Sequence, residues 1–105
     1  MSNICDNKFL IYSDNEETVE KLEKKLNNLF EDMLEGSIDY SDMNLLEGYF
    51  SSKWTFPHEI FKDFFEEFED ESIYMRCLSE EYGCSYVAMN IYRDNCWKSE
   101  QTFDL

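Results

Sequence analysis

Few residues in this 105-residue chain could do covalent or acid–base chemistry. His58 is the single histidine, and it follows Pro57 where a helix would open. A general base there needs a nucleophile within hydrogen-bond reach, and no neighbour in sequence supplies one, so His58 reads as a surface or capping residue. The four cysteines, Cys5, Cys77, Cys84 and Cys96, are 72, 7 and 12 residues apart, which matches no paired zinc-ligand spacing. A reactive thiol needs a nearby cation or a helix start, and these thiols lie in strand-like stretches of an acidic chain. Reduced thiols are expected, with a Cys77–Cys84 bridge across a hairpin as the alternative. Asp39-Tyr40-Ser41-Asp42-Met43-Asn44 opens like a calcium loop, but puts Met43 where an oxygen ligand belongs and Asn44 where the loop needs glycine. No spacing selects a carboxylate pair for hydrolysis. The expectation is a non-enzyme with no catalytic residue, no metal and no cofactor.

What dominates is charge: 24 Asp and Glu against nine Lys and Arg, a formal net of −15. Such a chain is not expected to bind nucleic acid through phosphates, which needs clustered cations. It is not expected to dock on an anionic membrane. About half of the acids fall in two tracts. Residues 31 to 47 hold Glu31, Asp32, Glu35, Asp39, Asp42 and Glu47 with no Lys or Arg. The second tract, Glu59, Asp63, Glu66, Glu67, Glu69, Asp70 and Glu71, shares its stretch with Lys62 alone. Carboxylates three and four residues apart on a helix recur about every 5 to 6 Å, and two such stripes side by side approximate a strand of phosphates. On one reading, Glu31, Asp32, Glu35, Asp39, Asp42, Glu59, Asp63, Glu66, Glu67 and Asp70 contact a basic nucleic-acid-binding groove on a host protein. On the other, the protein is a structural or interaction module and the acids are a solvated coat.

The elements that carry these tracts follow from periodicity. Phe9 to Tyr12 predicts a strand. Ser13 with Glu16, or Asp14 with Glu17, has the form of a capping box. Val19, Leu22, Leu26, Leu29, Phe30 and Met33 then recur on one helical face, with Gly36 placed to end the helix. Residues 37 to 47 fit a short strand, a helical turn or a packed loop. Gly48 to Trp54 predicts a strand. Pro57 opens a second helix whose Ile60, Phe61, Phe64, Phe65 and Phe68 form a core-facing stripe. Three strands follow, near 72–79, 86–93 and 96–103, with Val87, Met89 and Ile91 expected in the core and Asp94-Asn95 as a turn. The fold class is α+β, a two-layer ferredoxin-like sandwich with two helices on an antiparallel-rich sheet and an extra C-terminal strand. One acidic domain over residues 1–105 is expected. No apolar run approaches the ~20 residues of a membrane span and no basic, apolar leader opens the chain, so a cytoplasmic location in a bacterial host cell is expected.

Three segments carry a resemblance. Asn3-Ile4-Cys5-Asp6-Asn7 followed by an apolar strand resembles the amino-terminal signature of YubB-type ferredoxin-like proteins of phages, plasmids and bacteria. Phe50-Ser51-Ser52-Lys53-Trp54-Thr55-Phe56-Pro57 is similar to their Phe-x-x-x-Trp-x-Pro-Pro segment, and Glu80-Glu81-Tyr82-Gly83 with the strand to Tyr92 resembles their final hairpin. Ile4 stands where that family usually has Trp, and Phe56 where it has its first Pro. The resemblance implies a ferredoxin-like fold and a home on a phage or other mobile element, and it implies no catalytic set. With the charge, this predicts a small protein that binds and inhibits or modulates a nucleic-acid-handling host protein, such as a CRISPR or restriction defence complex.

Overall fold

β1 (Ile4–Tyr12) alternates along its length, with Cys5, Asn7, Phe9 and Ile11 buried and Asp6, Lys8 and Tyr12 exposed on the other side. The computed structural model describes residues 4–81, 83 and 86–102. Asn15 caps α1 (Glu16–Asp32), its side chain accepting the Glu17 N–H at 3.0 Å. The cap therefore differs from both expected boxes. Ser13 instead accepts the Asn15 N–H at 3.0 Å and donates to Asp70 at 2.5 Å, which ties the entry of α1 to a distant loop. Val19, Leu22 and Leu26 are buried, as their spacing predicts. The helix stops at Asp32 rather than near Gly36, because Glu31 and Asp32 crowd the negative end of its dipole and no base sits in the last turn.

Gly36 belongs to β2 (Glu35–Ser41), which pairs antiparallel with β3 (Leu45–Lys53), so the open stretch 37–47 is mostly hairpin. Its role is closeness: a Cβ at Gly36 would lie 2.6 Å from Phe50 Cβ and 2.8 Å from the Phe30 ring. A bulge between Ile38 and Tyr40 interrupts the pairing.

The second helix is much shorter than its periodicity predicts. α2 covers only His58–Phe61, and three-residue turns continue to Phe68 through bonds such as Phe64 N–H to Phe61 C=O and Glu66 N–H to Asp63 C=O. Glu66, Glu67, Glu69, Asp70 and Glu71 oppose a helix dipole at that end, and the aromatic run has only modest helix propensity. Phe61, Phe64 and Phe65 are nevertheless buried, because repeated turns also return a side chain to one side every three or four residues. Ile60 and Phe68 are partly buried against the same core.

β4 (Tyr74–Glu81), β5 (Tyr86–Arg93) and β6 (Cys96–Thr102) complete a six-stranded antiparallel sheet in the order β2-β3-β1-β4-β5-β6. Asp94 and Asn95, both at positive φ (54° and 60°), form the two-residue turn between β5 and β6. One sheet face carries Phe9, Ile11, Leu46, Phe50, Met75 and Cys77 and packs against α1 and the phenylalanine turns. The architecture is α+β, with two helices and one sheet among the described residues. The expected core role of Val87, Met89 and Ile91 is corrected: Ala88, Asn90 and Tyr92 are the buried residues of β5. Both faces of β5 are apolar enough to serve, and the register that pairs Cys77 with Asn90 turns the more hydrophobic one away from the helices. Among the described residues no helix is long and apolar enough to cross a membrane.

Candidate functional site

The two acidic tracts meet at one place. Asp32, from the end of α1, lines the same groove as Glu59 and Asp63, from α2 and the turn after it. The groove has a volume of about 550 Å³ and a floor of Leu29, Ile60 and Phe64, with Met33 beside it, 65 % exposed. One cation enters it, Lys25, and that charge is committed. The Lys25 ammonium pairs with Glu67, donates to the Phe64 carbonyl and sits 4.3 Å from the Phe64 ring centroid. What faces solvent is therefore an apolar floor with a carboxylate rim. Such a groove suits an Arg or Lys side chain, whose stem covers apolar surface while its head meets carboxylates.

The other predicted acids are dispersed. Glu31 is exposed on the last turn of α1. Glu67 is held by Lys25. Glu35 opens β2 opposite Ser51, and Asp39 sits at the β2 bulge, accepting from Ser37 Oγ at 2.8 Å. Asp42 closes the β2–β3 turn, taking the Met43 N–H at 2.7 Å. Glu66 and Asp70 line a separate cleft bounded by Asn15 and Tyr92. The stripe expected on the second helix thus breaks up, because the helix that would have carried it ends at Phe61.

Asp70 is a structural acid. It accepts from Ser13 Oγ at 2.5 Å, from Ser72 Oγ at 2.6 Å and from the Ser72 N–H at 2.9 Å. Partial burial pushes its carboxyl up, but the donors of Ser13, Ser72 and Thr18 outweigh this and hold it at about 2. No family model, curated protein or solved structure matches this chain.

Cys5 and Cys77 lie in surroundings that do not activate a thiol. His58 is exposed and stands edge-on to Phe56 at 5.1 Å. Burial pushes the Cys77 thiol up to about 12 and raises Cys5 as well, the opposite of an activated thiolate. Both are free thiols, as is Cys96, and Cys84 lies outside the described residues. Asn7, within the amino-terminal segment, is a buried clamp. Its amide donates to the Phe50 carbonyl at 3.1 Å and to Ser52 Oγ at 3.0 Å, and it accepts from Ser79 at 2.6 Å. Among the described residues no group of three or more His, Cys, Asp or Glu is arranged to hold a metal ion.

Two features escaped sequence reasoning. Trp54 is 50 % exposed at φ 70°, in a tight turn closed by the Thr55 N–H on the Lys53 carbonyl at 2.8 Å. An exposed Trp on a strained backbone is the kind of residue that anchors partners. The second is the sheet face opposite the helices, where no element among the described residues covers Leu10, Leu78, Met89 and Ile91. Tyr12, Tyr40 and Tyr49 are exposed beside them.

Proposed function

We propose that this is a non-enzymatic acidic protein of phage or other mobile-element origin that occupies the basic nucleic-acid-binding groove of a host protein, such as a CRISPR or restriction defence complex, and inhibits or modulates it. The observation that carries the reading is the convergence of Asp32 with Glu59 and Asp63 around one apolar-floored groove. Acids more than 25 residues apart in sequence share one rim there, with Lys25 paired to Glu67. A solvated coat needs no such focus. The field of a −15 chain draws a basic partner in from a distance, and the groove gives the encounter a place to end.

The finer fold belongs to the same proposal. β1, α1, β2, β3, α2 and β4 follow in the sequence order of a split βαβ unit, with β1 flanked by β3 and β4. This supports a ferredoxin-like core extended by β5 and β6, and with the three resembling segments it supports a YubB-type relationship. The site of action is then the cytoplasm of the bacterial host.

The test is competition. The triple variant D32N/E59Q/D63N should lose most of the binding to a captured nucleic-acid-binding protein, and duplex DNA should displace the parent protein from it. Binding that survives both the substitutions and added DNA overturns the reading and leaves the acids as a solubilising coat.

A further inference from the structure

The sheet face turned away from the helices differs in charge from the rest of the molecule. The strand register puts Lys8, Lys53, Arg76, Arg93 and Lys98 on it, five of the nine cations. Asp6, Glu35, Glu47, Glu80 and Glu100 share that face, and Asp39 at the β2 bulge lines the same surface beside Lys8 and Arg76, six of the 24 acids in all. The face is close to neutral, so nearly all of the −15 resides elsewhere. Around Lys8 and Arg76 its centre carries Leu10, Leu78, Met89 and Ile91, half-buried although no described residue from outside the sheet packs over them. Neither Lys8 nor Arg76 forms an ion pair with a described residue.

From this we infer that the face is an isologous dimer interface, occupied by a second copy of this chain in a sheet-on-sheet sandwich. Two chains of charge −15 repel on every other approach, and this is the face on which that repulsion is smallest. One pair of its charges is also self-complementary. One row across the sheet reads Lys8, Leu78, Met89, Glu100 from β1 to β6. A two-fold axis parallel to the strands, between β4 and β5, sets Lys8 against the second copy's Glu100 and Leu78 against its Met89. In the next row the same axis sets Arg76 against Ile91, so cations do not face each other. Four strands about 4.8 Å apart and roughly 25 Å long bury on the order of 600 Å² per copy, the lower end of a standard interface. The acidic groove lies on the helix side and stays open in both copies, so this inference stands independently of what that groove binds.

Sedimentation equilibrium from about 10 to about 500 µM, a span that brackets a modest interface, tests it. The parent protein should dimerise, and the dimer should tighten as salt screens the repulsion between the two acidic bodies. K8E should raise the dimer dissociation constant at least about tenfold by facing Glu100 with a like charge, and K8E/E100K should restore it. L78K, with a native circular dichroism spectrum, should remain monomeric. E59Q/D63N should dimerise like the parent even if its partner binding is lost. A monomer throughout the range, a dimer indifferent to K8E and L78K, or no rescue in the double variant overturns the proposal. A dimer that weakens with salt also overturns it, since attraction between an acidic and a basic surface would then outweigh the repulsion between two acidic bodies that this face is argued to minimise.

Discussion

On the helix side, the end of α1 and the turns after α2 carry a concentrated negative charge whose one groove cation is already paired. The uncovered sheet face carries as many aromatic and apolar residues as charges, with the charges nearly balanced. The two sides share strands, and alternate residues of β1, β3 and β4 go to the core or to the open face. A net charge of −15 is thus a poor description of either side. Steering of a basic partner belongs to the groove, and contact driven by apolar burial belongs to the sheet.

The two faces of β3 should respond very differently to truncation. Phe50 is fully buried among Phe9, Phe30, Phe56 and Phe61, with ring centroids 5.5 to 6.5 Å away. F50A should cost about 3–5 kcal/mol in urea unfolding, whereas Y49A, one residue earlier and facing outward, should cost under about 1 kcal/mol. Equal losses would mean that the open face is as tightly packed as the core. Gly48→Ala comes next. Its Cβ would lie 2.2 Å from the Ser37 carbonyl oxygen, so β2 and β3 must part locally. A loss of about 1–3 kcal/mol is expected, read from the unfolding midpoint.

Asp70 sharpens the division of labour among the acids. Removing its bonds to Ser13 and Ser72 in D70A should cost about 1–3 kcal/mol at neutral pH. Its folded pKa, about 2, lies below the ordinary 3.8, so its contribution is complete above pH about 4 and is lost as pH falls through about 2. D70A should therefore lose less stability than the parent over that acid window, as a pH series of thermal melts would show. The smallest stability effect is expected at the groove. E59Q/D63N should change unfolding by less than about 0.5 kcal/mol, because both side chains are exposed. The same change should slow association with a basic partner at least about tenfold at low salt and flatten the salt dependence, measured by stopped flow.

These contrasts show where periodicity is informative. α1 was legible because Val19, Leu22 and Leu26 have one burial solution, and the Asp94-Asn95 turn because its residues tolerate positive φ. The length of α2 was not legible. A one-three-one-three run of aromatic residues fits a helix and a chain of three-residue turns alike, and the acids that oppose the dipole decide between them. The faces of β5 were not legible either. Val87, Met89 and Ile91 are the more hydrophobic set, and only pairing with β4 and β6 puts Ala88, Asn90 and Tyr92 inside. The site was half legible: the tracts were visible as composition, but a fold had to bring Asp32 to Glu59 and Asp63, set Asp70 aside as a clamp and pair Glu67 with Lys25.

The most direct test of the division between the two sides is quantitative capture of proteins from bacterial lysate on immobilised parent protein and on D32N/E59Q/D63N, with and without added duplex DNA. The expected result is a parent-specific set dominated by nucleic-acid-binding proteins, released by DNA and by moderate salt, and absent from the triple variant. Capture of the same proteins by both, unaffected by DNA, would contradict it.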